Sequence, residues 1–256
     1  MTDDPWSPEQ YDRFRAERQQ PFHDLLALVR PAPEMRIVDL GCGTGELTQV
    51  LHRRLQARET VGLDSSPAML ARTAAFAGDA LRFEHGDIGT FAAERRYDLI
   101  FSNAALHWLP DHPALIGRLA RALADGGQLA VQVPANHDHA SHVVAAEVAG
   151  EEPFRSALGG PPPHGVLAPE EYAVLLQKLG HREQHVRLQV YGHRLPDRAE
   201  VIEWVKGTLL TAYQRRLPAE LYDQFLARYR ARLLARLEDT RPYFFPFKRI
   251  LLWARR

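Results

Sequence analysis

The sequence predicts an α/β fold: a doubly wound, mostly parallel seven-stranded sheet with helices on both faces, a helical lid at the N-terminus and a helical insertion before the last strand. Three observations predict it. Short apolar strands alternate with helical patterns from residue 36 to residue 133, the rhythm of a parallel sheet flanked by helices. The first strand breaks at once into glycines at alternate positions, Gly41, Gly43 and Gly45. A helical stretch over residues 194–240 stands between the last two strands.

Residues 8–29 read as a helix with Ser7 as N-cap and Pro8 at its first position. Tyr11, Phe14, Leu25, Leu26 and Val29 are its apolar positions, and Pro21 is expected to divide it. Strands are predicted at Arg36–Leu40, Thr60–Leu63, Leu81–His85, Asp98–Ser102 and Gln128–Val133. Helices are predicted at Glu46–Leu55, Pro67–Ala75 and Pro113–Ala124, the last closed by Asp125-Gly126-Gly127 as a glycine C-cap. Residues 134–142 read as a polar, histidine-rich loop and 159–164 as a stiff one, followed by a helix over 172–179 and a strand over 186–191. Two helical patterns follow, roughly 197–213 and 218–239, and an apolar last strand over 243–253. The organisation expected is a lid over 1–30, a core over 31–193, a cap over 194–240 and a last core strand over 241–256.

Lys plus Arg and Asp plus Glu each number 32 in 256 residues, a formal balance of zero. That disfavours a generic phosphate-backbone binder, which carries a basic excess, so no nucleic-acid partner is expected. The one cysteine, Cys42, excludes an internal disulfide and fits a reducing compartment. Residues 1–8 carry no apolar signal core, and no run of about 18 apolar residues offers a membrane span. A soluble cytoplasmic protein is the expectation.

The glycine loop carries the chemistry. Glycines after the first parallel strand let backbone approach a bound cofactor closely. A dinucleotide turn is G-x-G-x-x-G, with the pyrophosphate at a helix N-terminus. Here the spacing is G-x-G-x-G, and Asp39 stands two residues before Gly41. A carboxylate there repels pyrophosphate but suits a cation with an amino acid head, and S-adenosylmethionine is such a ligand. Asp64, 19 residues after Gly45 at the end of the second strand, is placed to accept from ribose hydroxyls. It could instead be a helix N-terminal acid, with Ser65 or Ser66 the cap. Met69 suits either an adenine face or plain core. Asp87 and Ile88, after the third strand, could accept from an adenine amino group and donate to a ring nitrogen, although Gly86-Asp87 is also ordinary turn chemistry.

Asp39 to Gly45, Asp64-Ser65-Ser66-Pro67-Ala68-Met69 and Asp87, in that order, resemble the Rossmann-like S-adenosylmethionine-dependent methyltransferases over residues 30–135. The resemblance implies a cofactor site of Asp39, Gly41, Cys42, Gly43, Gly45, Asp64, Ser65, Met69, Asp87, Ile88 and Asn103, with S-adenosylhomocysteine as product. More narrowly, Trp6-Ser7-Pro8, Tyr11, Phe14, Ala16-Glu17-Arg18, Asp98 to Asp111, Val131 to Asn136, Ile202-Glu203-Trp204-Val205 and Ala254-Arg255 resemble the trans-aconitate 2-methyltransferases. That implies O-methylation of a small carboxylic acid, trans-aconitate or a relative. Tyr11, Arg18, His107, Trp108, Asn136 and Trp204 are the substrate-site residues expected. One segment departs: Gly207-Thr-Leu-Leu-Thr-Ala-Tyr213 has neither the arginine nor the proline of the family pattern.

Methyl transfer from a sulfonium needs proximity, alignment and desolvation. An ionised carboxylate acceptor needs no general base, so no catalytic side chain is assigned. A polycarboxylate needs cations to hold its other carboxylates. Arg18 ranks first, before Arg194, Arg241 and Lys248. His137, His139 and His142 are weak evidence for a metal, and none is expected. Rival readings are a methyltransferase for a phenol or a biosynthetic intermediate, a cofactor-binding protein without transfer activity and, more distantly, a nicotinamide oxidoreductase.

Overall fold

The computed structural model describes residues 15–160 and 165–256, with side chains from residue 19 onward. Strand β1 is Arg36–Leu40, and its last four residues are buried. The other strands are β2 (Glu59–Asp64), β3 (Leu81–His85), β4 (Tyr97–Asn103), β5 (Leu123–Pro134), β6 (Glu183–Leu195) and β7 (Tyr243–Arg255). They form one seven-stranded sheet in the order β3-β2-β1-β4-β5-β7-β6. The pairings β1–β2, β1–β4, β2–β3 and β4–β5 are parallel, whereas β7 runs antiparallel to β5, Gln128 facing Arg255 and Pro134 facing Arg249. The strand order reverses between β1 and β4, so a crevice opens at the carboxyl ends of these strands, the place where parallel sheets bind ligands.

The chain divides into two compact units. The first comprises residues 1–134, 164–189 and 249–256. Its described helices are α1 (Arg15–Leu26), α2 (Glu46–Leu55), α3 (Pro67–Leu70), α4 (His112–Ala122) and, after further helices of the second unit, one at Pro169–Lys178. Leu51 and Leu55 of α2 and Leu115, Ile116 and Leu119 of α4 are buried at helical spacing. The second unit comprises residues 135–163 and 190–248. It contains α5 (Ala140–Ala149), α6 (Phe154–Leu158), α8 (Glu200–Lys206), α9 (Leu209–Gln214) and α10 (Ala219–Arg236), the helix at Pro169–Lys178 being α7 in chain order. Phe225 anchors its helical core, edge-on to Phe154 at 5.5 Å and stacked on Tyr213 at 4.8 Å. Glu151 ties the α5–α6 connection to α10 through Arg228 and Arg232. The insertion thus gathers the chain after β5 as well as the 194–240 stretch read from the sequence.

Several elements differ from expectation. The helix expected over Pro67–Ala75 ends as α3 at Leu70, and a 3₁₀ turn follows at Thr73–Ala75. α1 runs unbroken through Pro21, because Phe22, Leu25, Leu26 and Val29 are all buried and their packing outweighs one missing backbone donor. The expected start of this helix at Ser7 and Pro8 lies outside the described residues. α4 ends at Ala122, and Asp125-Gly126-Gly127 lies inside β5 as an irregularity in the pairing with β4, where Gly126 adopts φ +71°. The helix expected over 197–213 is two, broken at Gly207 and Thr208. Residues 140–149, read as loop or left unassigned, form α5, whose N-cap is His139, its Nδ1 accepting from the Ser141 N–H at 3.1 Å. Among the described residues no helix is long and apolar enough to cross a membrane.

Candidate active site

β1 ends in a buried carboxylate. Asp39 is 4% exposed and accepts from the Thr48 hydroxyl of α2 at 2.6 Å. Burial, opposed by the Thr48 bond and aided by the charge of Asp64, pushes its pKa up to about 7. The sign follows directly. The unfolded chain ionises Asp39 near pH 4 and the folded one near 7, so its stabilisation is complete below pH 4 and is lost as pH rises to 7. Urea unfolding of the ligand-free protein between about pH 4.5 and 7.5 should therefore show a decline, on the order of a few kcal/mol, that Asp39→Asn removes. An Asp39→Asn protein that keeps the wild-type slope would exclude this carboxylate as its source.

The loop that follows is held by its own backbone. Gly41, Gly43 and Gly45 have φ of +82°, +56° and +82°, values that glycine adopts without strain. The N–H groups of Gly41 and Cys42 donate to the Leu63 carbonyl at 2.8 and 3.1 Å, and that of Gly45 to the Cys42 carbonyl at 3.1 Å. The Gly43 N–H donates to Asp64 Oδ2 at 2.8 Å. A pyrophosphate cradle needs such donors turned outward; here they are engaged within the protein, and one is held by a carboxylate. Cys42 is buried and burial raises its thiol pKa, which makes it a packing residue.

Asp64 organises the second side. Besides Gly43 it accepts the Ser66 N–H at 2.9 Å through Oδ1. Ser66, rather than Ser65, is the N-cap of α3, accepting from the Met69 N–H at 3.1 Å. Ser65 is exposed, its carbonyl paired with the His85 ring at 3.2 Å, and Met69 is buried in the helix. Asp87 is exposed and folds back on the Gly89 N–H at 2.7 Å. Ile88 reaches the glycine loop, where its Cδ1 lies 3.7 Å from the position of a Cβ on Gly41.

The β4 end closes the third side. Ala105 packs directly on Gly41, its Cβ overlapping the place where a Cβ on that glycine would stand. Asn103 Oδ1 is buried and has no hydrogen-bond partner among the described residues. His107 and Trp108 follow in a 3₁₀ turn with ring centroids 4.7 Å apart. The structure thus brings Asp39, the three glycines, Asp64, Ile88 and Asn103 around one sheet edge within one unit.

The expected substrate residues fare differently. Tyr11 lies outside the described residues, as does the side chain of Arg18. Asn136 is 1% exposed, with Nδ2 donating to the Lys248 carbonyl at 2.9 Å and Oδ1 accepting the Lys248 N–H at 2.8 Å; it joins two chain segments and is a structural residue here. Trp204 is buried in the second unit among His193, Phe245 and Phe247, at ring distances of 4.6, 5.6 and 5.5 Å. Arg194 and Arg241 are exposed, and Lys248 pairs with Asp138. The buried cation that sequence reading passed over is Arg249, 4% exposed in β7. Its signal was there: Arg249 stands directly before the apolar run Ile250 to Ala254 of the same strand.

Comparison with known proteins agrees with this fold. Residues 11–189 match the family described as "Methyltransferase domain". The YcgJ protein of Bacillus subtilis, solved by crystallography, shares the fold at a TM-score of 0.63 with 16% identity, over 93% of this chain and 98% of that one. Trans-aconitate 2-methyltransferase of Deinococcus radiodurans is 46% identical over 98% of both chains. The enzymes of that name from Methylobacterium nodulans and Escherichia coli are 41% and 38% identical, each over 98% of both chains. The chain is a methyltransferase, and it belongs to the trans-aconitate 2-methyltransferase family.

Proposed function

We propose that this enzyme uses S-adenosylmethionine to methylate a carboxylate of a small organic acid, trans-aconitate or a close relative, forming the ester and S-adenosylhomocysteine. The observation that carries the cofactor half is the space in front of Gly43: a Cβ there would meet nothing within 4 Å among the described residues, and acidic Asp39 and Asp64 flank the loop. The residues present fit the group. Asp64 has lone pairs left for two ribose hydroxyls, Asp87 and the Ile88 N–H suit an adenine edge, and Asn103 Oδ1 is a buried acceptor suited to an ammonium. The bound group supplies a methyl on a sulfonium, already a good leaving group. The protein aligns the acceptor and removes water. A carboxylate is ionised at neutral pH, so no side chain is needed as base. His107 and Trp108, at the end of β4, are proposed to wall the acceptor.

The acid half rests on relatives up to 46% identical over 98% of both chains. The test is transfer from labelled S-adenosylmethionine to a panel of carboxylic acids and phenols, with products read by mass spectrometry. A trans-aconitate monomethyl ester as dominant product is the expected result. Dominant transfer to a phenol would overturn the acid assignment and leave the cofactor site intact.

A further inference from the structure

Three side chains line one face of the sheet at the carboxyl ends of β4 and β5. Asn103 faces Gln132 across the parallel pairing, and Gln132 faces Leu251 across the antiparallel one, two residues along β7 from Arg249. Gln132 is wholly buried and Arg249 nearly so. Arg249 Nη1 donates to Gln132 Oε1 at 3.3 Å. The Gln132 Nε2 group, with two N–H donors, is buried without a partner among the described residues. A guanidinium brings its own planar fork of donors to the same place.

The arrangement therefore offers N–H groups and a fixed positive charge. Such a set recognises an anion, and a planar guanidinium beside an amide fits the two oxygens of a carboxylate better than a sphere of charge would. The location is the crevice where a parallel sheet binds its ligand, and the residues just after Asn103 pack on the glycine loop. We infer that Arg249 and Gln132 hold a non-reacting carboxylate of the acceptor acid. This rests on the acid-methylating reading above and adds a buried cation to those which that reading ranked.

Two sources of carboxylate could use the pair, the acceptor acid and the amino acid end of the cofactor. Calorimetry separates them. Trans-aconitate is titrated into the complex with S-adenosylhomocysteine, and S-adenosylmethionine is titrated alone, for wild type, Gln132→Leu and Arg249→Lys. The volume-matched leucine removes the amide without charge change, and lysine keeps the charge without the fork. The expected result is a loss of trans-aconitate affinity of about tenfold for Gln132→Leu and about ten- to a hundredfold for Arg249→Lys, with S-adenosylmethionine affinity within about twofold of wild type. Matching rises in KM for the acid with kcat little changed would accompany it. Equal acid affinity in wild type and Gln132→Leu overturns the inference and leaves the proposed function standing. A loss confined to S-adenosylmethionine affinity assigns the pair to the cofactor and overturns it too. A wild type that binds no polycarboxylate defeats the acid reading itself, and this inference with it.

Discussion

Asp64→Ala is expected to lower S-adenosylmethionine affinity by at least about a hundredfold while the protein still folds. The carboxylate serves two purposes. It fixes the Gly43 and Ser66 N–H groups at 2.8 and 2.9 Å, and each such charge-assisted bond contributes roughly 1.5–3 kcal/mol. It also keeps lone pairs for the ribose. Removing it loosens the loop in which the cofactor sits and deletes the sugar's acceptor, and losses that act through one site multiply in the binding constant. Asp64→Asn should lose nearly as much, because an amide has one acceptor oxygen and turns N–H toward one of two backbone N–H groups. Calorimetry on both variants, with circular dichroism to report folding, tests this. Wild-type affinity in either would remove Asp64 from the cofactor site.

Of the two readings of Asp64 from sequence, ribose acceptor or helix-start acid, the structure shows the second: it accepts the N–H of the N-cap residue, and it holds the glycine loop as well. Legibility elsewhere followed the strength of local signals. β1, β3 and α2 match their predicted limits to the residue, because each apolar run or stripe is bounded by glycine or turn chemistry. α5 was not legible because its N-cap is a histidine, a residue without a strong capping preference. Pro21 misled because propensity is weak against buried packing. Within the site, the glycines, Asp39 and Asp64 are close in sequence order to the strands that carry them, so spacing places them. Arg249 is different. It lies 117 residues from Gln132, and only antiparallel pairing of β7 with β5 brings the two together. Asn136 and Trp204 were chosen by resemblance, and the structure engages one with backbone and the other with aromatic neighbours.

Gly41→Ala and Gly43→Ala, made side by side, are expected to separate folding from binding. Both positions have positive φ, where an L-residue costs roughly 1–2 kcal/mol. Their surroundings differ. A Cβ on Gly41 would overlap the Ala105 Cβ and stand 3.6 Å from its Cα, so the β4 end must move, and overpacking adds about 1–3 kcal/mol. Gly41→Ala should therefore lose about 2–5 kcal/mol in urea unfolding and, because Ala105 follows Asn103, disturb binding as well. A Cβ on Gly43 would meet no atom of the described residues within 4 Å, so Gly43→Ala should lose only the backbone cost. Yet that methyl would occupy the space assigned to the cofactor, and roughly a ten- to hundredfold loss of S-adenosylmethionine affinity is expected from a displaced near-contact, about 1.4–2.8 kcal/mol. A Gly43→Ala protein that is nearly as stable as wild type but binds poorly would place the ligand against this glycine. Wild-type binding in that variant would place it elsewhere along the sheet edge, with Asp64 and Asn103 then the groups to follow.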